Sequence, residues 1–276
     1  MVETGQAAAA VAMQTFERIH PVEFQRRFLG QNTRHTGREF NQFRALKVIK
    51  GAISTAQGSA TVRLGNTTVV CGIKAEVCEP DVKRPTAGYL TTNVELSPMC
   101  SARFRAGAPS DEAQVASEHI YRLSMHLLDL TSLCIESGKA AWSLSADIVC
   151  LKHDGNVVDA AVIALVAAIE DLRLPRAEFD SATGVVSADK EALGHVDVKK
   201  RLFPATFVLV DDLCVVADAD DAEEQMATAS LLVVMDGEGK LVNLWKRGAG
   251  VISREAVEQC VERARERMSE IAKVLD

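Results

Sequence analysis

The chain has 276 residues, 47 % of them hydrophobic and 25 % charged, enough to build a substantial packed core. Its net charge of −7 excludes a protein that coats nucleic acid through bulk positive charge, though one local basic strip remains compatible with it. Seven cysteines form no CxxC pair, which argues against zinc and for free core thiols in a reducing compartment.

The opening MVETGQAAAAVAMQTFER has no basic region ahead of its alanines. Residues 1–22 are therefore expected to be a flexible lead rather than a secretory or transit signal, and 23–276 a single domain. Residues 59–73, SATVRLGNTTVVCGI, give two β-rich runs around Gly65-Asn66, a two-residue hairpin signal. Residues 82–110 are rich in Pro, Gly, Thr and Ser and predict a long loop. From Asp111 to about Leu128, the apolar positions Val115, Ile120, Leu123 and Leu127 recur at near-helical spacing. WSLSADIVCL, 142–151, predicts a strand, and 158–172 a helix apolar on nearly every face. Such a helix must be covered on both sides, between two sheets or two halves. Its longest apolar run, Ala160–Ile169, is too short for a bilayer span.

Residues 173–204 are charged and predict an irregular connection. FVLVDDLCVVAD then gives two strands around Asp211-Asp212, and SLLVVMDGEGKLVNLWK two more around 236–239. The last helix begins at a Ser253 cap and carries Val257, Cys260, Val261, Ala264, Met268, Ile271 and Leu275 on one stripe. Hairpins followed by helices occur twice, over about 35–175 and 195–276. The expectation is an α+β fold with a weak internal duplication and a shared helical layer.

RHTGREFNQFR, GSATVRLGNTTVVCGIKAE, DIVCLKHDGNVVDAAVIALVAAI and SLLVVMDGEGKLVNLWKRG occur in this order from about Phe24 to the C-terminus. Together they resemble the RNase PH-like family. SARFRAGAPSDEAQVAS and EFQRRFL look most like a ring subunit of the eukaryotic RNA exosome. The resemblance implies two βαβ-type halves, with helices packed between and against mixed sheets. Active members degrade RNA from its 3′ end with inorganic phosphate as nucleophile. One departure is RHTGR, 34–38, where the family usually has an Asp before the glycine.

Phosphorolysis needs a donor-rich phosphate pocket, an acid or metal at the leaving oxygen, and a basic grip on RNA. Active members resemble Asp-Gly-Gly-Thr-Arg at the turn where this chain has Asp154, Gly155, Asn156, Val157 and Val158. The hydroxyl and guanidinium donors are gone. Asp159 is expected to accept the free amides at the helix start, so that the helix fills its own anion site. The family's two acids correspond to Glu224 and Ser230, and a serine cannot serve as the second carboxylate. The run ADADDAEEQ reads either as a metal site or as a solvated acidic loop, and the loop is favoured. Arg103 and Arg105 flank Phe104 as RNA-contact candidates; the alternative is an ordinary loop with one anchored aromatic. Ser117 stands where arginine is frequent in RNA-binding ring members. Lys199, Lys200 and Arg201 suggest a surface patch or subunit contact. His119 and His126 could share a helix face, without a third ligand.

These features imply a catalytically inactive ring subunit with no cofactor and no metal. Its implied partners are other RNase PH-like subunits in a hetero-hexameric ring, RNA-binding cap proteins, an associated hydrolytic nuclease and RNA in the channel, with no membrane. The implied setting is nucleus, nucleolus and cytoplasm. An active phosphate-dependent exoribonuclease is the alternative, and a binding protein outside the exosome a second one.

Overall fold

A computed structural model describes residues 15, 16, 19–181, 183–212 and 214–276. Of the expected flexible lead, residues 1–14, 17 and 18 lie outside these. Helix α1 (Pro21–Leu29) starts with proline in its first turn, has Arg26 and Arg27 in its last turn, and buries Phe24 and Leu29. A six-stranded sheet follows. Strands β1 (Leu46–Lys50), β2 (Gly58–Leu64), β3 (Thr67–Cys78), β6 (Ala140–Lys152) and β4 (Tyr89–Leu96) lie side by side in that order, and β5 (Cys134–Glu136) also pairs with β6. The Gly65-Asn66 turn joins β2 to β3 as expected, with Gly65 at φ +58°.

The expected long loop over 82–110 contains β4, which runs parallel to β6. Its inward positions Leu90, Thr92, Val94 and Leu96 alternate with Thr91, Asn93 and Glu95. Polar residues on the outer face hid a half-buried strand inside a loop-like composition. Helix α2 (Asp111–Leu127) covers it, capped by Ser110, which accepts from the Ala113 amide.

Helix α3 (Val157–Asp171) matches the all-round apolar expectation. It packs on β2 and β3 on one side and on β9 (Leu202–Val210) on the other. Alanines allow that closeness: Ala160, Ala161, Ala164, Ala167 and Ala168 are fully buried. At Gly58 on β2 a Cβ would come 2.4 Å from the Ala168 carbonyl oxygen. The connection expected over 173–204 is instead a hairpin, β7 (Arg173–Asp180) and β8 (Val185–His195), followed by the start of β9. Charges alternating along a two-stranded, solvent-washed ribbon gave it the look of a linker.

The second sheet runs β10 (Cys214–Ala217), β9, β11 (Ala227–Asp236), β12 (Leu241–Gly248), all antiparallel. Pro204 is tolerated in β9 because it lies beyond the stretch paired with β10. A short helix, α4 (Asp221–Gln225), precedes β11. The last helix, α5 (Arg254–Leu275), is capped by Ser253 and packs its stripe on β9, β11 and β1. Arg267 interrupts that stripe; its guanidinium lies 4.8 Å from the Phe43 ring centroid and donates to the Arg44 carbonyl at 3.2 Å.

Between the N-terminal segment and the second sheet lies a buried charge network. Arg34, itself 1 % exposed, forms two hydrogen bonds to the Glu223 carboxylate and others to the carbonyls of Ala217 and Asp218. Arg44 donates through Nε and Nη2 to Asp218 at 3.0 and 2.8 Å, and its amide donates to the same carboxylate at 2.7 Å. The guanidinium also reaches the carbonyl of Asp154 at 2.6 Å. Arg38 stands 3.7 Å from both Asp218 and Asp220. The acidic run expected to be a solvated loop is therefore largely interior. Burial alone would raise the Asp218 carboxyl, but its bonds from Arg44 and Asn156 outweigh that and hold it low.

Removing one member of such a network strands a buried charge. Arg44→Leu is expected to cost about 3–5 kcal/mol in chemical denaturation. The double variant with Asp218→Asn should cost less than the sum of the two single changes, which a double-mutant cycle measures directly.

Candidate functional site

The turn from β6 into α3 is built from four directions. The His153 amide donates to the Cys100 carbonyl at 3.1 Å. Thr67 Oγ1 donates to the Gly155 carbonyl at 2.7 Å and accepts from the Asp154 amide at 3.2 Å. Arg44 grips the Asp154 and Gly155 carbonyls. Gly155, at φ +72°, lies so close to the second half that a Cβ would stand 2.6 Å from the Asp220 carbonyl carbon. Asn156 takes the left-handed conformation at φ +51°, which Asn tolerates better than most residues. Its side chain donates to Asp159 at 2.9 Å and to Asp218 at 2.7 Å.

The acid that meets the turn is Glu224 and not Asp159. Glu224 Oε1 accepts the Asn156 amide at 2.7 Å. Among the described residues, Asp159 accepts no backbone amide of its own helix start; besides the Asn156 side chain it accepts from the Thr206 amide at 2.9 Å and the Thr206 hydroxyl at 2.6 Å on β9. It ties α3 to the second sheet, and burial pushes its carboxyl up to about 6. Burial likewise pushes Glu224 up to about 7.

Val157, Val158, Glu224 and Ser230, widely separated in sequence, line one cavity of about 290 Å³. Arg103, Thr206, Thr228, His119, Trp245 and Arg247 line it too. Reasoning from sequence placed the four degenerate positions together but missed Trp245, Arg247 and Thr206, which no local motif marks. His119 serves as a wall: its ring lies 3.3 Å from the Trp245 ring centroid, and burial lowers its pKa. His126 is exposed and takes no part in the cavity.

Arg103 is held by Glu112 and, at 2.9 Å, by Asp221, with its guanidinium 5.2 Å from the Phe104 ring. Phe104 is buried and packs edge-on against His153 at 5.3 Å. The anchored-aromatic reading therefore describes Phe104, which is not free to stack on a base. Arg105 is exposed, and no ion pair involves it among the described residues. Ser117 Oγ accepts from the Val94 amide at 2.9 Å, a bond that ties α2 to β4. Lys200 pairs with Asp236 at 3.2 Å, and Arg201 with Glu170 and Asp276, each at 2.7 Å.

The cavity's guanidinium and hydroxyl groups come from Arg103, Arg247, Thr206, Thr228 and Ser230. No guanidinium or hydroxyl follows the glycine turn, and a carboxylate already holds the Asn156 amide. Glu224 with Ser230 makes a poor ligand set for a divalent cation, which prefers several oxygens of fixed geometry. Elsewhere, ligand atoms of His35, Asp220 and Glu223 lie within 4.8 Å of one another. Arg34 and Arg38 already supply the positive charge there, so that cluster also fits a metal ion poorly.

Residues 42–175 match domain 1 of the 3′ exoribonuclease family, and residues 203–267 match domain 2. The chain is 37 % identical over 252 residues to exosome complex component rrp43 of Schizosaccharomyces pombe, covering 91 % of this chain and 93 % of that one. It is 33 % identical to exosome complex component Rrp42 of Methanothermobacter thermautotrophicus, over 90 % and 91 % of the two chains. Among solved structures, a chain of the Archaeoglobus fulgidus exosome with RNA bound to the active site superposes with a TM-score of 0.82. The two are 25 % identical, over 92 % of this chain and 97 % of that one.

A raised folded-state pKa on an acid means that stability falls as pH rises from the unfolded value toward the folded one. For Glu224 that window runs from about 4.5 to about 7. Glu224→Gln keeps an oxygen for the Asn156 amide and removes the titration. It should flatten the loss of stability across that window and raise stability at pH 8 by about 1–3 kcal/mol, as read from denaturation at several pH values.

Proposed function

The chain belongs to the RNase PH-like 3′ exoribonuclease family, and we propose that it is a catalytically silent subunit of an exosome core ring. The observation that carries this reading is the cavity where Val157, Val158 and Ser230 stand and Glu224 already occupies the amide of the turn. Phosphate would meet apolar methyls and a carboxylate in place of a guanidinium fork. The relatives bear the names of exosome components, which supports assembly with other RNase PH-like chains around an RNA channel.

Its work is then architectural. It forms subunit faces, shapes the channel and supports RNA-binding cap proteins, while a separate hydrolytic nuclease cuts the RNA. RNAs served in this way include ribosomal precursors and messenger RNA, in nucleus, nucleolus and cytoplasm. The run 101–117 resembles exosome component 8, and we infer an equivalent place in the ring. Of the two RNA-contact candidates, Arg105 is the one with its charge uncommitted, and Arg103 serves the loop.

Purified from its own cells, the tagged chain should show a native mass and partners matching a hetero-assembly of RNase PH-like chains and cap proteins. The full-length chain incubated with phosphate and single-stranded RNA should release no nucleoside diphosphates. Val158→Arg alone should also release none, because Ser230, Glu224 and the missing hydroxyl stay as they are. Phosphate-dependent trimming by either protein, or a catalytically active homo-hexamer, would overturn the reading.

A further inference from the structure

Among the described residues, Glu224 is the acid lining the cavity that forms no ion pair, with His153, Arg44 and Arg103 acting on it only at longer range. Among the described residues, its carboxyl group accepts from a neutral amide, that of Asn156. Glu112, on the same wall, is met by His153 and Arg103 and held low. Arg103 is committed to Glu112 and Asp221, and Arg44 to Asp218 and the turn carbonyls. His153 is sealed beneath Phe104. The stacked rings of His119 and Trp245 line the same cavity as Glu224. Val157, Val158 and Leu232 supply apolar lining.

A carboxyl group with no ion pair, apolar lining and stacked aromatic rings in one cavity suit a cation carried on an aliphatic stem, whose charge would favour the ionised form of Glu224. The carboxylate attracts the charge, aromatic faces attract it further, and methylenes lie well on valine and leucine. We propose that this cavity binds an arginine or lysine side chain from a basic peptide segment, with the cationic head against Glu224. The pocket has changed the sign of its preference: the place that holds an anion in active relatives selects a cation here. Arg247, exposed on β12, is the like charge on the rim and limits how tightly an isolated cation binds. This goes beyond the ring role and does not depend on it.

The test uses the two tryptophans, Trp142 and Trp245, as NMR reporters in the full-length, isotope-labelled chain. Trp245→Phe assigns their indole signals. N-acetyl-arginine amide should shift the Trp245 signal saturably. N-acetyl-citrulline amide, its neutral isostere, should bind about tenfold more weakly, and the same loss should appear with the charged probe in Glu224→Gln. Val158→Arg, which places the chain's own guanidinium in the cavity, should abolish probe binding with the rest of the spectrum kept. Equal binding of both probes, an undiminished response in Glu224→Gln, or a Trp245 shift produced by inorganic phosphate instead would each overturn the proposal.

Discussion

Asp218 has no exposure at all, and the two halves of the molecule meet around it. An isolated carboxylate in that position would be prohibitively costly. It is tolerated because Arg44 supplies a fork of donors and a backbone amide, and Asn156 a side-chain amide. Each of those donors has a second duty. Arg44 holds the carbonyls of the β6–α3 turn, and Asn156 holds that turn open in a left-handed conformation. The geometry of the cavity is therefore a by-product of neutralising one buried charge. Arg34 and Glu223 extend the same arrangement to the N-terminal segment, locking the chain before β1 against α4.

The backbone of the turn and the side chains that line the cavity answer to two separate constraints. Gly155 and Asn156 are demanded by packing, since one nearly touches the backbone at Asp220 and the other bonds to Asp218 and Asp159. Val157 and Val158 answer to a different constraint, since they line the cavity. The position of Glu224 under the turn follows from α4, whose capping box through Asp220 and Glu223 sets the helix start. A carboxylate is thereby placed on the first free amide of α3, where an anion would otherwise be welcome.

Much of the fold was legible in the sequence because its signals are local. The Gly65-Asn66 turn, the Ser253 cap and the all-round apolar α3 each speak within one window of residues. What was missed depended on distant partners. Strand β4 owes its place to β6, and its alternation is diluted by threonines and an asparagine. The acidic run around 220 looked solvated because its arginines stand up to 189 residues away. Asp159 was expected to cap its own helix, yet Thr206 on a strand formed later in the chain claims it. The cavity was half legible: the degenerate positions followed from the family resemblance, whereas Trp245 and His119 meet only through tertiary packing.

The placement of α3 also constrains how the protein is made. Its apolar surface is covered on one side by β2 and β3 and on the other by β9, which emerges from the ribosome about thirty residues later. Until then, one of the most apolar segments of the chain has half its surface bare, and Arg34 and Arg44 lack Glu223 and Asp218. The first half cannot finish folding during synthesis as an independent unit. Contacts of such long sequence separation slow folding and prolong the exposure of apolar surface. The core of the first half is therefore completed only when the second sheet arrives.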